Sequence, residues 1–109
     1  MPGAATAGPG VRFVAGRPQV IRPPTVMTMW EGLPFVVEWE GKAITVFVTR
    51  EAMDDLGHFH AGQTHATYVK VFEKYRGNIL DGVAKALAAG RATAKDRLRL
   101  TGEDISALA

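Results

Sequence analysis

The chain contains no cysteine among its 109 residues. Disulfide bonds, thiolate metal sites and cysteine nucleophiles are therefore excluded. No apolar run approaches the roughly 20 residues that a membrane-spanning helix needs, so no membrane partner is expected. Prolines and glycines interrupt residues 1–10, which also have no cluster of basic residues, so they do not resemble a signal peptide. We expect a soluble, cytoplasmic protein.

Residues that could carry out catalysis are equally scarce. Serine occurs once, at Ser106, which makes a Ser-His-Asp arrangement implausible. No phosphate-binding loop or dinucleotide fingerprint occurs between a strand and a helix. Asp54 and Asp55 are adjacent on a predicted helix, so they point in different directions and cannot face one substrate as an acid–base pair. The sequence predicts neither enzyme activity nor a cofactor.

The residues that are present have an ordinary globular composition. Hydrophobic residues make up 47% and charged residues 22%, and the length fits one domain. Residues 1–10 are small and rich in glycine and proline, so ordering them would gain little burial. We therefore predict a disordered tail at 1–10 and a single domain at 11–109.

The clearest predicted element is a β-hairpin at 33–49, with its turn at Glu40-Gly41. One register places the large apolar side chains on a single face, and a slip of one residue would scatter them. That register pairs Leu33 with Val48, Phe35 with Val46, Val37 with Ile44, and Trp39 with Lys42.

Two helices are predicted after the hairpin. Thr49 is placed to cap a short helix at 50–56 that Gly57 would stop. Thr64 is placed to cap a longer helix at 64–89, and Gly90 to end it. Apolar residues three and four positions apart form one stripe along the longer helix: Tyr68, Val71, Phe72, Tyr75, Ile79, Val83 and Leu87.

Gly77 and Gly82 interrupt that apolar stripe. Each glycine costs about 1 kcal/mol relative to alanine inside a helix, so both need a reason. Two explanations fit, namely a break near Gly77 or close packing of the backbone on the sheet. Of these we favour a single helix that can bend.

The last regular element is a strand at 97–101, where leucine and arginine alternate and the leucines point inward. A short strand at 11–14 is also expected. The hairpin face and the helix stripe each need burial, and packing one on the other satisfies both. The predicted fold class is α+β, a small antiparallel sheet with its helices packed mainly on one face.

Several motifs in sequence order resemble a bacterial family of unknown function, the domain-of-unknown-function family numbered 1488. The resemblance covers residues 33–104 and implies a small α/β fold with no established activity and no catalytic residue. The motifs are Glu40-Gly41-Lys42, Val48-Thr49-Arg50-Glu51-Ala52-Met53 followed by Leu56, Phe72-x-x-x-Arg76-x-x-Ile79, Gly90-Arg91, and Leu98-x-Leu100-Thr101-x-x-Asp104.

An apolar patch is the first candidate site. The patch consists of Met27, Met29 and Trp30, which precede the hairpin, and of Phe47, which lies on the more polar face of the hairpin. Together they could bind a protein partner or a second copy of the chain. Trp30 could equally cover the open edge of the core, because aromatic residues are common in both settings.

A basic set is the second candidate site. Residues 66–99 hold eight basic and three acidic side chains, whereas residues 27–57 hold two basic and six acidic ones. Contacts to nucleic-acid phosphates could come from Lys70, Lys74, Arg76, Arg97 and Arg99. A solvated helix face beside a basic edge strand explains the same residues without any ligand.

Three histidines form the third candidate site. His58 and His60 stand two residues apart, and His65 could complete a transition-metal site with them. A polar loop between the helices is the plainer interpretation. Weighing the three sites, the sequence favours a non-catalytic protein-interaction or accessory domain. The alternatives are a weak nucleic-acid binder using the basic helix with Arg97 and Arg99, and a metal-binding loop.

Overall fold

A computed structural model describes residues 17–105, and the tail expected at 1–10 and the strand expected at 11–14 lie outside them. The described part is an α+β fold, as predicted, and its one sheet has four strands. Its elements are β1 (Gln19–Arg22), β2 (Leu33–Trp39), β3 (Lys42–Val48), α1 (Arg50–Gly57), α2 (His65–Lys74), α3 (Arg76–Ala88), β4 (Arg97–Leu100) and a 3-10 turn (Gly102–Asp104).

The hairpin has the predicted register, which pairs Trp39 with Lys42 at one end and Leu33 with Val48 at the other. Glu40 and Gly41 form the two-residue turn with φ values of 51° and 81°. Two successive positive φ angles match the right-handed twist of the flanking strands, which explains why this turn fixes the pairing.

The sheet order β1-β2-β3-β4 is mixed, because β4 runs parallel to β3. The predicted sheet was antiparallel, and the parallel pairing of β4 with β3 differs from that prediction. The chain between β3 and β4 contains three helices. Such a long crossover brings the chain back to the end of the sheet where β3 began, so the next strand can add in parallel.

Strand β1 was not predicted, and it lies between Pro18 on one side and Pro23 and Pro24 on the other. It pairs antiparallel with β2, and the register shifts between Val20 and Arg22. An edge strand of four residues tolerates flanking prolines, since they stand outside the hydrogen-bonded ladder.

Both predicted N-caps are present. The hydroxyl of Thr49 accepts a hydrogen bond from the amide of Ala52 at 3.2 Å, and that of Thr64 accepts one from Thr67 at 3.2 Å. Helix α1 extends through Gly57, so the stop predicted there was misplaced. His58 ends the helix in the left-handed conformation, with a φ of 57°.

The preference for one helix over 64–89 was wrong. The chain forms α2 and α3, separated at Tyr75, whose φ and ψ are −107° and 20°. The break lies two residues before Gly77, as the other explanation required. Gly82 fits the second explanation, close backbone packing, but the nearest atom is the carbonyl oxygen of Asp104 in the 3-10 turn. The sheet is farther away, with Cδ2 of Leu100 in β4 at 3.7 Å from an added Cβ.

The helices cover one face of the sheet, and the core lies between the two layers. Along β4 only Leu98 and Leu100 are buried, so the leucines point inward as predicted. The largest fully buried side chains are Tyr68, Phe35, Phe72, Leu33, Met53, Ile79, Leu98, Leu100 and Ile105.

The two helix glycines should respond oppositely to alanine. A Cβ at Gly82 would collide with the carbonyl oxygen of Asp104, whereas a Cβ at Gly77 would meet no atom within 4 Å. We expect Gly82→Ala to lower the free energy of unfolding by about 1–2 kcal/mol through overpacking. Gly77→Ala should raise it by about 0.5–1 kcal/mol, because alanine favours the helix. Urea denaturation of both variants measures the difference, and effects of equal sign would contradict the packing.

Candidate interaction surface on the open sheet face

The sheet face opposite the helices, which we call the open face, carries the polar and half-buried side chains. The register aligns them in rows across the strands. One row contains Arg22, Val36, Thr45 and Arg97, the row nearer the turn contains Gln19, Glu38 and Ala43, and the far row contains Pro34, Phe47 and Arg99.

A short loop at residues 28–32, which we call the Trp30 loop, stands beside the far row. Its ends are joined by a hydrogen bond from the Thr28 amide to the Gly32 carbonyl at 2.9 Å. The Thr28 hydroxyl donates to the same carbonyl at 2.8 Å and accepts from the amides of Glu31 and Gly32 at 3.1 and 2.9 Å. These four bonds fix the loop backbone on both sides of Trp30.

Trp30 is 89% exposed at the tip of this loop. It lines a groove of about 390 Å³, which we call the Trp30 groove, together with Glu31, Phe47, Arg97 and Arg99. A side chain from the loop and side chains from the last two strands therefore form one concave surface.

The two arginines of the groove differ in their partners. The guanidinium of Arg97 lies 4.6 Å from the centre of the Phe47 ring and donates to Glu31 at 2.6 Å. It therefore covers the ring by a cation–π contact, and Glu31 balances its charge. Arg99 is exposed, and no acidic side chain within residues 17–105 forms an ion pair with it. The groove keeps one unbalanced positive charge.

The predicted apolar patch is divided by the structure. Trp30 and Phe47 meet in the groove, but Met27 packs against the core, and its amide donates to Nδ1 of His65 at 3.0 Å. Met29 is 75% exposed and lines a separate groove that includes His65. Met27 thus covers the core edge, the role that had been considered for Trp30.

The predicted basic set is divided as well. Lys70, Lys74 and Arg76 are on the helical layer, whereas Arg97 and Arg99 project from the opposite side of the sheet. The ammonium of Lys74 lies 5.4 Å from the Tyr75 ring centre, and Arg76 pairs with Glu73 at 3.4 Å. The two halves do not form one continuous stripe.

The three histidines that were considered as metal ligands are all exposed. Within residues 17–105 no group of three or more His, Asp or Glu side chains is arranged to hold a metal ion. His58 is the C-cap residue of α1. Nδ1 of His65 accepts a hydrogen bond from the Met27 amide. The nearby carboxylate of Asp54 accepts a hydrogen bond from the Tyr68 hydroxyl at 2.6 Å.

A cluster that the sequence analysis did not single out joins two of the family-like motifs. Arg91 donates to both carboxylate oxygens of Asp104, at 2.5 and 3.0 Å, and to the carbonyl of Arg99 at 3.1 Å. The Thr101 amide also donates to Asp104, at 2.9 Å. The hydrogen bond from Arg91 lowers the pKa of Asp104 to about 2 and raises that of Arg91. Because these groups bind one another, the cluster is structural.

Glu31 and Thr93 of the groove were also missed by the sequence analysis. Glu31 precedes the hairpin, so nothing in the sequence places it near Arg97 until the parallel pairing of β4 is known. Thr93 lies four residues before Arg97, and its hydroxyl accepts a hydrogen bond from the Arg97 amide at 3.3 Å. The alternation at 97–101 predicted which side chains of the strand point inward, but it did not predict which strand lies beside it.

The fold and surface define a small α+β domain with one covered and one open sheet face. This is the architecture of a protein of unknown function from the DUF1488 family of Shewanella loihica, whose crystal structure matches with a TM-score of 0.66. The match covers 78% of this chain and 92% of that chain at 12% sequence identity. It confirms that the family resemblance seen in the sequence extends to the fold.

The other comparisons add no function. No protein-family model matches the sequence. No curated protein matches it. Since the similar structure is itself of unknown function, an activity must be inferred from the surface of this chain. In residues 17–105 no helix is long and apolar enough to cross a bilayer.

Proposed function

We propose that this chain is a non-catalytic protein-interaction domain that binds its partner through Trp30 and the adjoining part of the open face. The observation that carries the proposal is a tryptophan 89% exposed on a loop fixed by four hydrogen bonds. Trp30 contributes little to the core, because its side chain is almost fully in water.

Such a tryptophan suits a binding anchor. Tryptophan and arginine are enriched among the residues that dominate protein interfaces, and both are in the Trp30 groove. A loop that is already ordered loses little further conformational freedom when a partner binds. The exposed anchor and the fixed loop therefore support the same function.

The chemistry of the groove supports a binding role and not catalysis. Among the described residues that line it, Thr93 supplies the one hydroxyl, and that oxygen accepts hydrogen bonds from the amides of Lys95 and Arg97 at 3.3 Å each. The Glu31 carboxylate is held by Arg97 at 2.6 Å. Both groups are engaged in holding the surface together.

Site-specific photo-crosslinking tests this function. A benzophenone amino acid replaces Trp30 in the full chain, and the chain is irradiated in the cells from which it comes. We expect a discrete protein adduct from position 30. Matched controls carry the photoreactive group at Met29, exposed on the same loop, and at Lys70 on α2, and they should not give that adduct.

A thermal melt of Trp30→Ala accompanies the crosslinking. Because the side chain is exposed, we expect its stability to stay within about 0.5 kcal/mol of the wild type. Failure to obtain an adduct at position 30, or the same adducts at all three positions, would contradict the proposal.

A further inference from the structure

We infer that the Trp30 groove binds a short segment of a partner protein that carries an apolar side chain next to a carboxylate. The inference rests on the proposed interaction function and names the chemistry of the partner. Three features support it: the charge balance of the surface, the apolar wall of the groove, and the covering of the Phe47 ring by Arg97.

The charge balance favours an acidic partner. The open face and the Trp30 loop expose three arginines, Arg22, Arg97 and Arg99, against two acids, Glu31 and Glu38. Within the groove Glu31 balances Arg97 at 2.6 Å, which leaves the guanidinium of Arg99 as the surplus charge. A guanidinium binds a carboxylate through two parallel hydrogen bonds, so Arg99 is suited to one acidic side chain.

The apolar requirement follows from Trp30 and Phe47. Trp30 is 89% exposed, and Phe47 is half-buried in the same groove. The volume of about 390 Å³ is near the lower end of the roughly 300–1,000 Å³ typical of ligand pockets. That space fits side chains of a short segment, and burying one of them against Trp30 would remove apolar surface of both partners from water.

A second copy of this chain fits the groove less well. Each copy would bring the same surplus positive charge, that of Arg99, to a face-to-face contact. Like charges placed opposite each other in an interface oppose association. The positive net charge of the surface therefore favours a different partner, one that is acidic.

Nucleic acid also fits less well. Proteins that bind single strands offer open aromatic faces for stacking and several cations for phosphates. Here Trp30 is exposed, but Arg97 covers the Phe47 ring and the Glu31 carboxylate lies in the groove. Lys70, Lys74 and Arg76 are on the other side of the sheet and cannot extend this site.

Fluorescence anisotropy with labelled synthetic peptides tests the inference on the full chain. The probes are a peptide of alternating aspartate and phenylalanine and two counterparts with asparagine or lysine in place of aspartate. We expect the aspartate peptide to bind at least about tenfold more tightly than the asparagine peptide, and the lysine peptide to bind most weakly.

Two substitutions and one control assign the effect to the groove. Trp30→Ala should weaken binding of the aspartate peptide about tenfold or more. Arg99→Glu should abolish the preference for aspartate over asparagine. Lys70→Glu makes the same change of charge on α2 and should leave both affinities unchanged. All three positions are exposed, and thermal melts confirm that the variants fold.

Other results would overturn the inference. They are equal binding of the three peptides, no binding of the aspartate peptide up to about 1 mM, or an equal loss in Lys70→Glu and Arg99→Glu. Tighter binding of oligothymidylate would assign the groove to nucleic acid, and a concentration-dependent mass lost in Trp30→Ala would assign it to a second copy. If position 30 crosslinks a protein without any preference for acidic peptides, the interaction function stands and this inference fails.

Discussion

Replacing Gly32 with alanine is expected to lower the free energy of unfolding by about 3 kcal/mol or more. Gly32 has a φ of 106°, which a residue with a side chain rarely adopts. An added Cβ would also collide with the carbonyl oxygen of Val48 and lie 3.0 Å from Cα of Thr49. Both are backbone atoms where β3 meets α1, so the collision cannot be relieved by moving a side chain.

Gly41→Ala is the matched control, because Gly41 also has a positive φ, of 81°, but has open space around it. It should cost only about 1 kcal/mol, mainly from conformational strain. Urea unfolding followed by circular dichroism gives both values. Equal costs would show that the close approach of Gly32 to Val48 is not important.

The same substitution connects stability with binding. The Gly32 carbonyl accepts from both the amide and the hydroxyl of Thr28, so this glycine closes the loop that presents Trp30. We therefore expect Gly32→Ala to weaken binding at the Trp30 groove even where the protein remains folded. Gly41 lies at the hairpin turn, and Gly41→Ala should leave that binding unchanged.

Removing the charge of Asp104 is expected to cost about 1.5–2 kcal/mol at pH 7. Arg91 holds the pKa of this carboxyl at about 2, below its ordinary value of 3.8, and each pKa unit corresponds to about 1.4 kcal/mol. The Asp104 side chain is 16% exposed, but that of Arg91 is 42% exposed, so solvent screens part of the interaction. Asp104→Asn should therefore lose somewhat less free energy of unfolding than the full pKa shift corresponds to.

The pH dependence identifies the cause of that loss. Because the pKa of Asp104 is lower in the folded state, its stabilisation is complete above about pH 5 and disappears as the pH falls from about 4 towards 2. Free energies of unfolding measured from pH 7 to pH 2 should show wild type and Asp104→Asn converging over that interval. Glu103→Gln, which removes an exposed carboxylate from the same turn, is the control variant measured alongside. A constant difference for Asp104→Asn would show that the ion pair is not responsible.

Much of the fold follows from local chemistry that can be read along the chain. The Glu40-Gly41 turn and the alternating side chains determine the hairpin register, because a slip of one residue would expose the apolar face. Thr49 and Thr64 determine where α1 and α2 begin, because their hydroxyls satisfy amides only a few residues away. Signals that act over two to four residues are visible without a structure.

Features that depend on distant residues could not be predicted in the same way. The apolar stripe continued across Tyr75, so nothing local distinguished a broken helix from a bent one. Gly82 is required by Asp104, twenty-two positions away, and the prolines around β1 concealed an edge strand whose partner comes from the hairpin. In each case the deciding contact joins segments far apart in sequence.

The candidate site shows the same division. The sequence by itself placed Met27, Met29, Trp30 and Phe47 in one apolar patch, and it placed Arg97 and Arg99 on one side of a strand. It did not connect Trp30 and Phe47 with these two arginines. Only the tertiary structure decided that they share a groove, because the parallel pairing of β4 with β3 sets Phe47 beside Arg99 and brings Arg97 within reach of Glu31. Composition and spacing determine which side chains a segment presents, and strand pairing over long loops determines which of them meet.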